Sequence, residues 1–181
     1  SNDIFLRSTL SNTTVDLLLN GSQGWDTADY TGILNGGISA SFTRDFYGNT
    51  GTINSGANEV DTLRSFEGIR GTGENDTFYL NNNQVNMAID GDGGFNTISF
   101  STAGTSTVVD FVTGTMDLNH GQYGSIKFDN IDRIEGDMTG GLIRMDKVGN
   151  SFDFELDLRS LHRPDIPDFL LPRFYKAKPQ D

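Results

Sequence analysis

The chain has 181 residues, with 13 Lys plus Arg against 25 Asp plus Glu and no cysteine. A net charge of −12 sets the field of the whole chain against nucleic acid and anionic membranes, so neither is an expected partner. Without cysteine there is no disulfide, thiolate metal site or Cys nucleophile, and no apolar run reaches the ~20 residues that cross a bilayer as a helix.

At the start of the chain, Asn2-Asp3-Ile4-Phe5 is a clipped form of a phrase that returns three times. The fuller copies are Gly21-Ser22-Gln23-Gly24-Trp25-Asp26-Thr27-Ala28, then Gly71-Thr72-Gly73-Glu74-Asn75-Asp76-Thr77-Phe78, with Glu74 in place of one glycine, then Gly91-Asp92-Gly93-Gly94-Phe95-Asn96-Thr97-Ile98. Each predicts a glycine turn running into a strand, with Phe5, Ala28, Phe78 and Ile98 pointing inward. Leu18–Gly21 corresponds to Ala88–Gly91, the alternating run Ile38–Phe42 to Thr107–Phe111, and Leu63–Gly71 to Phe128–Gly136. These matches define a repeat of about 65–70 residues, with units at 1–70 and 71–145. The stretch Arg44–Thr52 reads as an insertion without a clear counterpart in the second unit, and a further turn phrase at Gly136–Ile143 has glycine where the acid belongs.

The chain changes character near residue 146. All 4 prolines stand at Pro164 or later, and only Gly149 of the 22 glycines lies beyond Gly141. Phe152, Phe154, Leu156 and Leu158 alternate with charged residues as in a half-buried strand, and the Pro-punctuated stretch to Asp181 reads as a cap over the end of the repeat stack. The expected fold is all-β: a parallel β-roll or β-solenoid over 1–145 with irregular insertions, followed by a C-terminal strand and a Pro-rich capping tail over 146–181.

A glycine turn turns several backbone carbonyls toward one spot, and the following acid or amide adds a side-chain oxygen. Ca2+ takes six to eight oxygens at about 2.3–2.6 Å, more than one such turn supplies, but two turns stacked side by side reach the number. A stack of paired nine-residue units repeats every ~18 residues. The separations of Asp3 from Asp26 and of Asp76 from Asn96 are near that length plus a small insertion, so each pair is expected on one edge. The candidate cation ligands are Asp3, Gly21, Gly24, Asp26, Gly71, Gly73, Asp76, Gly91, Asp92, Gly94 and Asn96. The same residue types also serve as tight turns in which Asp or Asn caps backbone amides without any ion.

The turn phrase is similar to the nine-residue pattern of hemolysin-type (RTX) calcium-binding repeats of type I-secreted bacterial proteins, in a degenerate and widely spaced form. The resemblance covers 1–145. It implies a parallel β-roll, Ca2+ between turns, export unfolded, and folding on meeting extracellular calcium. The chain departs from the pattern at Ser22, Thr72 and Asp92 in place of glycine, at Asn96 in place of aspartate, and in having no tandem run of units.

Catalytic chemistry finds little support. His120 and His162 stand outside any metal-ligand spacing, the carboxylate pairs Glu74/Asp76, Asp90/Asp92 and Asp26/Asp29 lie in or beside the turns, and there is no Gly-x-Ser-x-Gly elbow. Trp25, Tyr30, Tyr47 and Tyr123 fall in turns or insertions and are the candidate contacts for a sugar ligand. The expected role is therefore non-catalytic: an extracellular repeat module of a larger type I-secreted bacterial protein, working as scaffold or spacer beside neighbouring domains of a longer chain, with calcium as partner. The alternative is a module that binds polysaccharide or another surface, adhesin-like, attached to an enzyme.

Overall fold

The structure is a computed structural model describing residues 1–8, 16–34, 36–45, 48–55, 59–81, 86–101, 107–118, 125–138, 141–149 and 151–157. Every regular element among these residues is a strand. In chain order they are β1 (Ile4–Ser8), β2 (Leu18–Asn20), β3 (Thr27–Gly32), β4 (Ser39–Asp45), β5 (Gly48–Asn54), β6 (Val60–Arg64), β7 (Gly68–Arg70) and β8 (Thr77–Leu80). There follow β9 (Met87–Asp90), β10 (Thr97–Ser101), β11 (Thr107–Asp110), β12 (Thr115–Leu118), β13 (Ser125–Asp129), β14 (Arg133–Met138), β15 (Gly141–Val148) and β16 (Ser151–Asp157).

They form two sheets. The seven-stranded sheet runs β1-β3-β7-β9-β13-β12-β11, and the nine-stranded sheet runs β16-β15-β14-β10-β8-β4-β5-β6-β2. The chain passes from the seven-stranded to the nine-stranded sheet at β3 to β4, β7 to β8, β9 to β10 and β13 to β14, and returns at steps that include β2 to β3 and β6 to β7. In both sheets the strands so connected stand in the same order. Such alternation lets neighbours pair in parallel, since the crossover that parallel strands need is made through the opposite sheet.

The register stacks like on like. In one sheet Phe5, Ala28, Ile69, Ile89 and Phe128 are successive Cα partners, and in the other Ala40, Phe78, Ile98 and Ile134. Ala28, Ala40, Phe78, Ile98 and Ile134 are fully buried, and both columns belong to one core. Burying each larger member contributes about 1.5–3 kcal/mol, so a column of four or five outweighs any single turn. Gly136 sits in β14 beside Phe100, where a Cβ would meet the ring.

The sequence repeat is visible in the pairing. Strands β1–β7 match β8–β14 one for one: Leu19 with Leu63 is reproduced by Ile89 with Phe128, Ala28 with Ile69 by Ile98 with Ile134, and Ala40 with Ile53 by Val109 with Met116. Every strand of one copy lies in the sheet opposite to its counterpart in the other. The two copies thus resemble each other in sequence and yet occupy opposite sheets.

The insertion Arg44–Thr52 is seen as the outer part of the β4–β5 hairpin, which the shorter β11–β12 hairpin, with its turn at 111–114, lacks. Two expectations are corrected here. Gly136 opens no turn but lies inside β14. The change of composition near 146 is not a break in the sheet, because β15 runs through it and pairs antiparallel with both β14 and β16. The expected strand after 150 is present as β16, while the Pro-punctuated tail lies outside the described residues.

Candidate functional site

The four turn phrases gather into two columns, one on each edge where the chain changes sheet. One column holds residues 1–3, 21–26 and 65–67. The other holds Gly37-Ile38, residues 71–76, 91–96 and 130–132. Asp3 lies beside Asp26, and Asp76 beside Asn96, as their spacing predicts.

The two columns are built by the same bonds. In the first, the Trp25 amide donates to Asn2 Oδ1 at 2.9 Å and the Asp3 amide to Asp26 Oδ1 at 2.8 Å. In the second, the Phe95 amide donates to Asn75 Oδ1 at 2.7 Å and the Asp76 amide to Asn96 Oδ1 at 2.9 Å. The Asp26 amide donates to Glu67 Oε2, as the Asn96 amide does to Asp132 Oδ2, both at 2.9 Å. Ser22 and Asp92 both take positive φ, 70° and 59°, and their amides donate to Asn20 and Asp90. Ser65 and Asn130 likewise share positive φ. Each turn thus presents an inward acid or amide to a backbone N–H of its neighbour, an Asx cap made between turns in addition to those within one.

Asp76 carries the most. It is 1% exposed, its Oδ1 accepts from the Ile38 amide at 2.6 Å and from Thr72 Oγ1 at 3.0 Å, and its Oδ2 accepts from the Thr72 amide at 2.7 Å. Burial pushes its carboxyl pKa above the ordinary 3.8, and the bonds from Ile38 and Thr72 pull the other way. Asn96 is fully buried, and its Nδ2 donates to the carbonyls of Gly93 at 2.9 Å and Asn130 at 3.0 Å. Asp26 is fully buried too, but its Oδ2 has no hydrogen-bond partner.

The glycines earn their places by contact. A Cβ at Gly21 would meet the Asp26 carboxylate and the Ser65 carbonyl, at Gly71 the Asp76 carboxylate and the Gly91 carbonyl, and at Gly91 the Asn96 amide and the Asn130 carbonyl. Gly24 and Gly94 have positive φ, and a Cβ there would run into the neighbouring turn at Ser1 or Glu74. Gly73 alone among these has open space, with nothing within 4 Å. Gly71→Ala is therefore expected to destabilise the fold by about 2–3 kcal/mol, and Gly73→Ala by less than ~0.5 kcal/mol, measured by urea unfolding. Equal effects at the two positions would refute this account of the turn.

As cation ligands the candidate residues divide. Asp92 is held by Arg70, Nη2 to Oδ1 at 2.7 Å, and Asp3 accepts from its neighbour Ser1 Oγ at 2.8 and 3.0 Å. Asp76 has both oxygens engaged by donors, and the Asn96 amide donates to two carbonyls of the kind a cation would need, so the second column does not fit calcium. Asp26 fits, because an orphaned buried carboxylate oxygen faces the same spot as the Ser65 carbonyl. Among the described residues no three His, Asp or Glu side chains converge.

The aromatic candidates divide as well. Trp25 is 41% exposed, and Phe95 at the matching place in the other column is equally so, with the Arg133 guanidinium 5.1 Å from its ring centre. Tyr30 does not face solvent as expected. It is buried in β3, and its hydroxyl donates to Asp61 Oδ2 at 3.1 Å. Tyr47, Tyr123, His120 and His162 lie outside the described residues.

Sequence reading missed two groups. Glu67 and Asp132 are acceptors in the columns, and the match of Leu63–Gly71 to Phe128–Gly136 already aligned them with each other. The second group is a buried ion-pair cluster between the sheets: Arg7 on β1 donates from Nε to Asp61 Oδ2 at 3.0 Å and from Nη2 to Glu59 Oε2 at 3.2 Å, and the Leu17 amide donates to Asp61 Oδ1 at 3.0 Å. No local pattern announces it, since residues 7 and 61 meet only through the fold.

No family model, no curated protein and no solved structure matches this chain.

Proposed function

We propose that this chain is a non-catalytic structural module, a flattened parallel β-roll whose two sheets are the walls of one continuous coil, working as a stiff acidic spacer in a larger exported bacterial protein. The observation behind the reading is the pair of turn columns, in which buried Asp and Asn side chains tie each turn to the next without a convergent catalytic group. The shared order of strands in both sheets supports the coil, and the half-winding offset between the two copies is what a coil with one repeat unit per wall produces. A net charge of −12 supports export unfolded, because the carboxylates repel one another until the chain folds or they are neutralised. Calcium belongs to the reading at one place, where Asp26 and the Ser65 carbonyl would hold it and the ion would supply the positive charge that the orphaned oxygen lacks.

The rival reading, a polysaccharide-binding module, rests on the exposed Trp25 and on a groove of about 640 Å³ across the seven-stranded sheet. Arg70, Asp90, Lys127, Asp129 and Lys147 line that groove with apolar residues, among them Phe111 and Phe128, whose rings pack edge to face at 5.6 Å, and Trp25 does not. The exposed indole and the groove therefore do not form one sugar platform. A glycan array decides between the two: no retention is expected. Retention that disappears with Trp25→Ala would transfer the assignment to the rival.

A further inference from the structure

The two columns share their bridging bonds, and at one matched point the atoms differ in kind. Asn96 Nδ2 and Asp26 Oδ2 stand at the same point of the frame, each against the glycine that opens its turn (Gly91, Gly21) and against the carbonyl of a positive-φ residue in the next turn (Asn130, Ser65). At Asn96 that point is a donor, and it donates to the Asn130 and Gly93 carbonyls. At Asp26 it is a fully buried oxygen with no donor. A buried carboxylate oxygen with no donor, on the same side of the turn as a carbonyl oxygen, is costly unless something positive lies beside it.

We infer that the Asn96 side-chain amide occupies, in its column, the place a hard cation takes in the other, so that the columns are specialised: one is capped by protein alone and indifferent to calcium, the other is completed by an ion at Asp26. The inference rests on the stacked-turn reading above and goes beyond it in separating residues that the turn phrase treats alike. One carboxylate oxygen and one carbonyl are two of the six to eight oxygens Ca2+ requires, with other turn carbonyls and water making up the rest. The ion at Asp26 is therefore weakly held. Asn96 achieves the same bridging with two N–H bonds that need no ion.

The test is an exchange of the two residues. Wild type, Asp26→Asn, Asn96→Asp and the double variant are melted in chelator and in CaCl2 raised to a hundredfold excess over Kd, with Kd and binding stoichiometry from calorimetry. Wild type should bind one ion and gain about 5 °C or more at a hundredfold excess of calcium over Kd. Asp26→Asn should lose that gain and, in chelator, melt at or above the wild-type temperature, because its Nδ2 donates to the Ser65 carbonyl as that of Asn96 does to Asn130. Asn96→Asp should melt lower in chelator, recover in calcium and bind a second ion. The double variant should bind one ion, now in the other column.

A calcium gain that survives Asp26→Asn, no gain in wild type, or an Asn96→Asp variant that calcium does not rescue would overturn the inference. None of these touches the stacked turns themselves. That reading falls separately, if Asp76→Ala, which removes caps without altering the exchanged atoms, leaves the melt unchanged.

Discussion

Asp76→Ala is expected to lower the unfolding free energy by about 3–4 kcal/mol, a fall in Tm of about 10 °C for a chain of this size. The substitution strands the Ile38 and Thr72 amides in a buried turn, and an unpaired buried donor costs about 1–3 kcal/mol. Relief of a buried charge offsets part of the loss. Asp76→Asn should lie between wild type and alanine, since its Oδ1 still accepts from Ile38 while its Nδ2 opposes the Thr72 N–H. The pH dependence has a definite sign. The folded carboxyl has a pKa raised above 3.8, so the folded state holds the proton more firmly, and this contribution is fully present below 3.8 and lost as pH rises through the raised value. The gap between wild type and Asp76→Ala should accordingly be wider in acid than at neutral pH. A gap that narrows in acid would contradict the burial assigned to this carboxylate.

Asp61→Ala should be at least as damaging, at about 3–5 kcal/mol, because it removes one partner of a buried ion pair. Asp61 is fully buried and Arg7 is 3% exposed, and the loss leaves the guanidinium with Glu59, strands the Leu17 amide and deprives the Tyr30 hydroxyl of its acceptor. The Tyr30 hydroxyl pKa is pushed well above 10, by burial first and then by the charge and hydrogen bond of Asp61, so it remains a donor throughout the usual pH range. Removing both charges as Arg7→Met with Asp61→Leu should cost less than Asp61→Ala alone, since an apolar pair avoids the desolvation that the ions incur. Equilibrium urea unfolding checks both variants. A double variant as unstable as the sum of its singles would mean that the two side chains do not interact.

Much of the local design was legible in the residues. The turn phrase predicted the turns, the inward Phe78 and Ile98, and the adjacency of Asp3 with Asp26 and of Asp76 with Asn96. These features follow from alternation and from the glycines, and both act over a few residues. Other features were not legible. Tyr30 follows the turn phrase closely enough to pass for a turn aromatic, yet it lies in β3, where Asp29 and Thr31 are only half-buried and Tyr30 is the inward residue between them. The aligned copies match position for position and yet lie in opposite sheets, because strand alternation and turn glycines hold no record of which sheet they build.

By itself, then, the sequence determined an all-β chain of repeated glycine turns with an acid or amide at a constant offset, because strand alternation and turn conformation are local. Only the tertiary structure decided what those side chains do. Part of what Asp76, Asn96 and Asp26 meet comes from their own turn, but the bonds that join turn to turn depend on the neighbour stacked there, which lies 20 or more residues away along the chain. The partner is set by the register between strands, and register is settled largely by packing the apolar columns, to which the polar turn side chains add no apolar area.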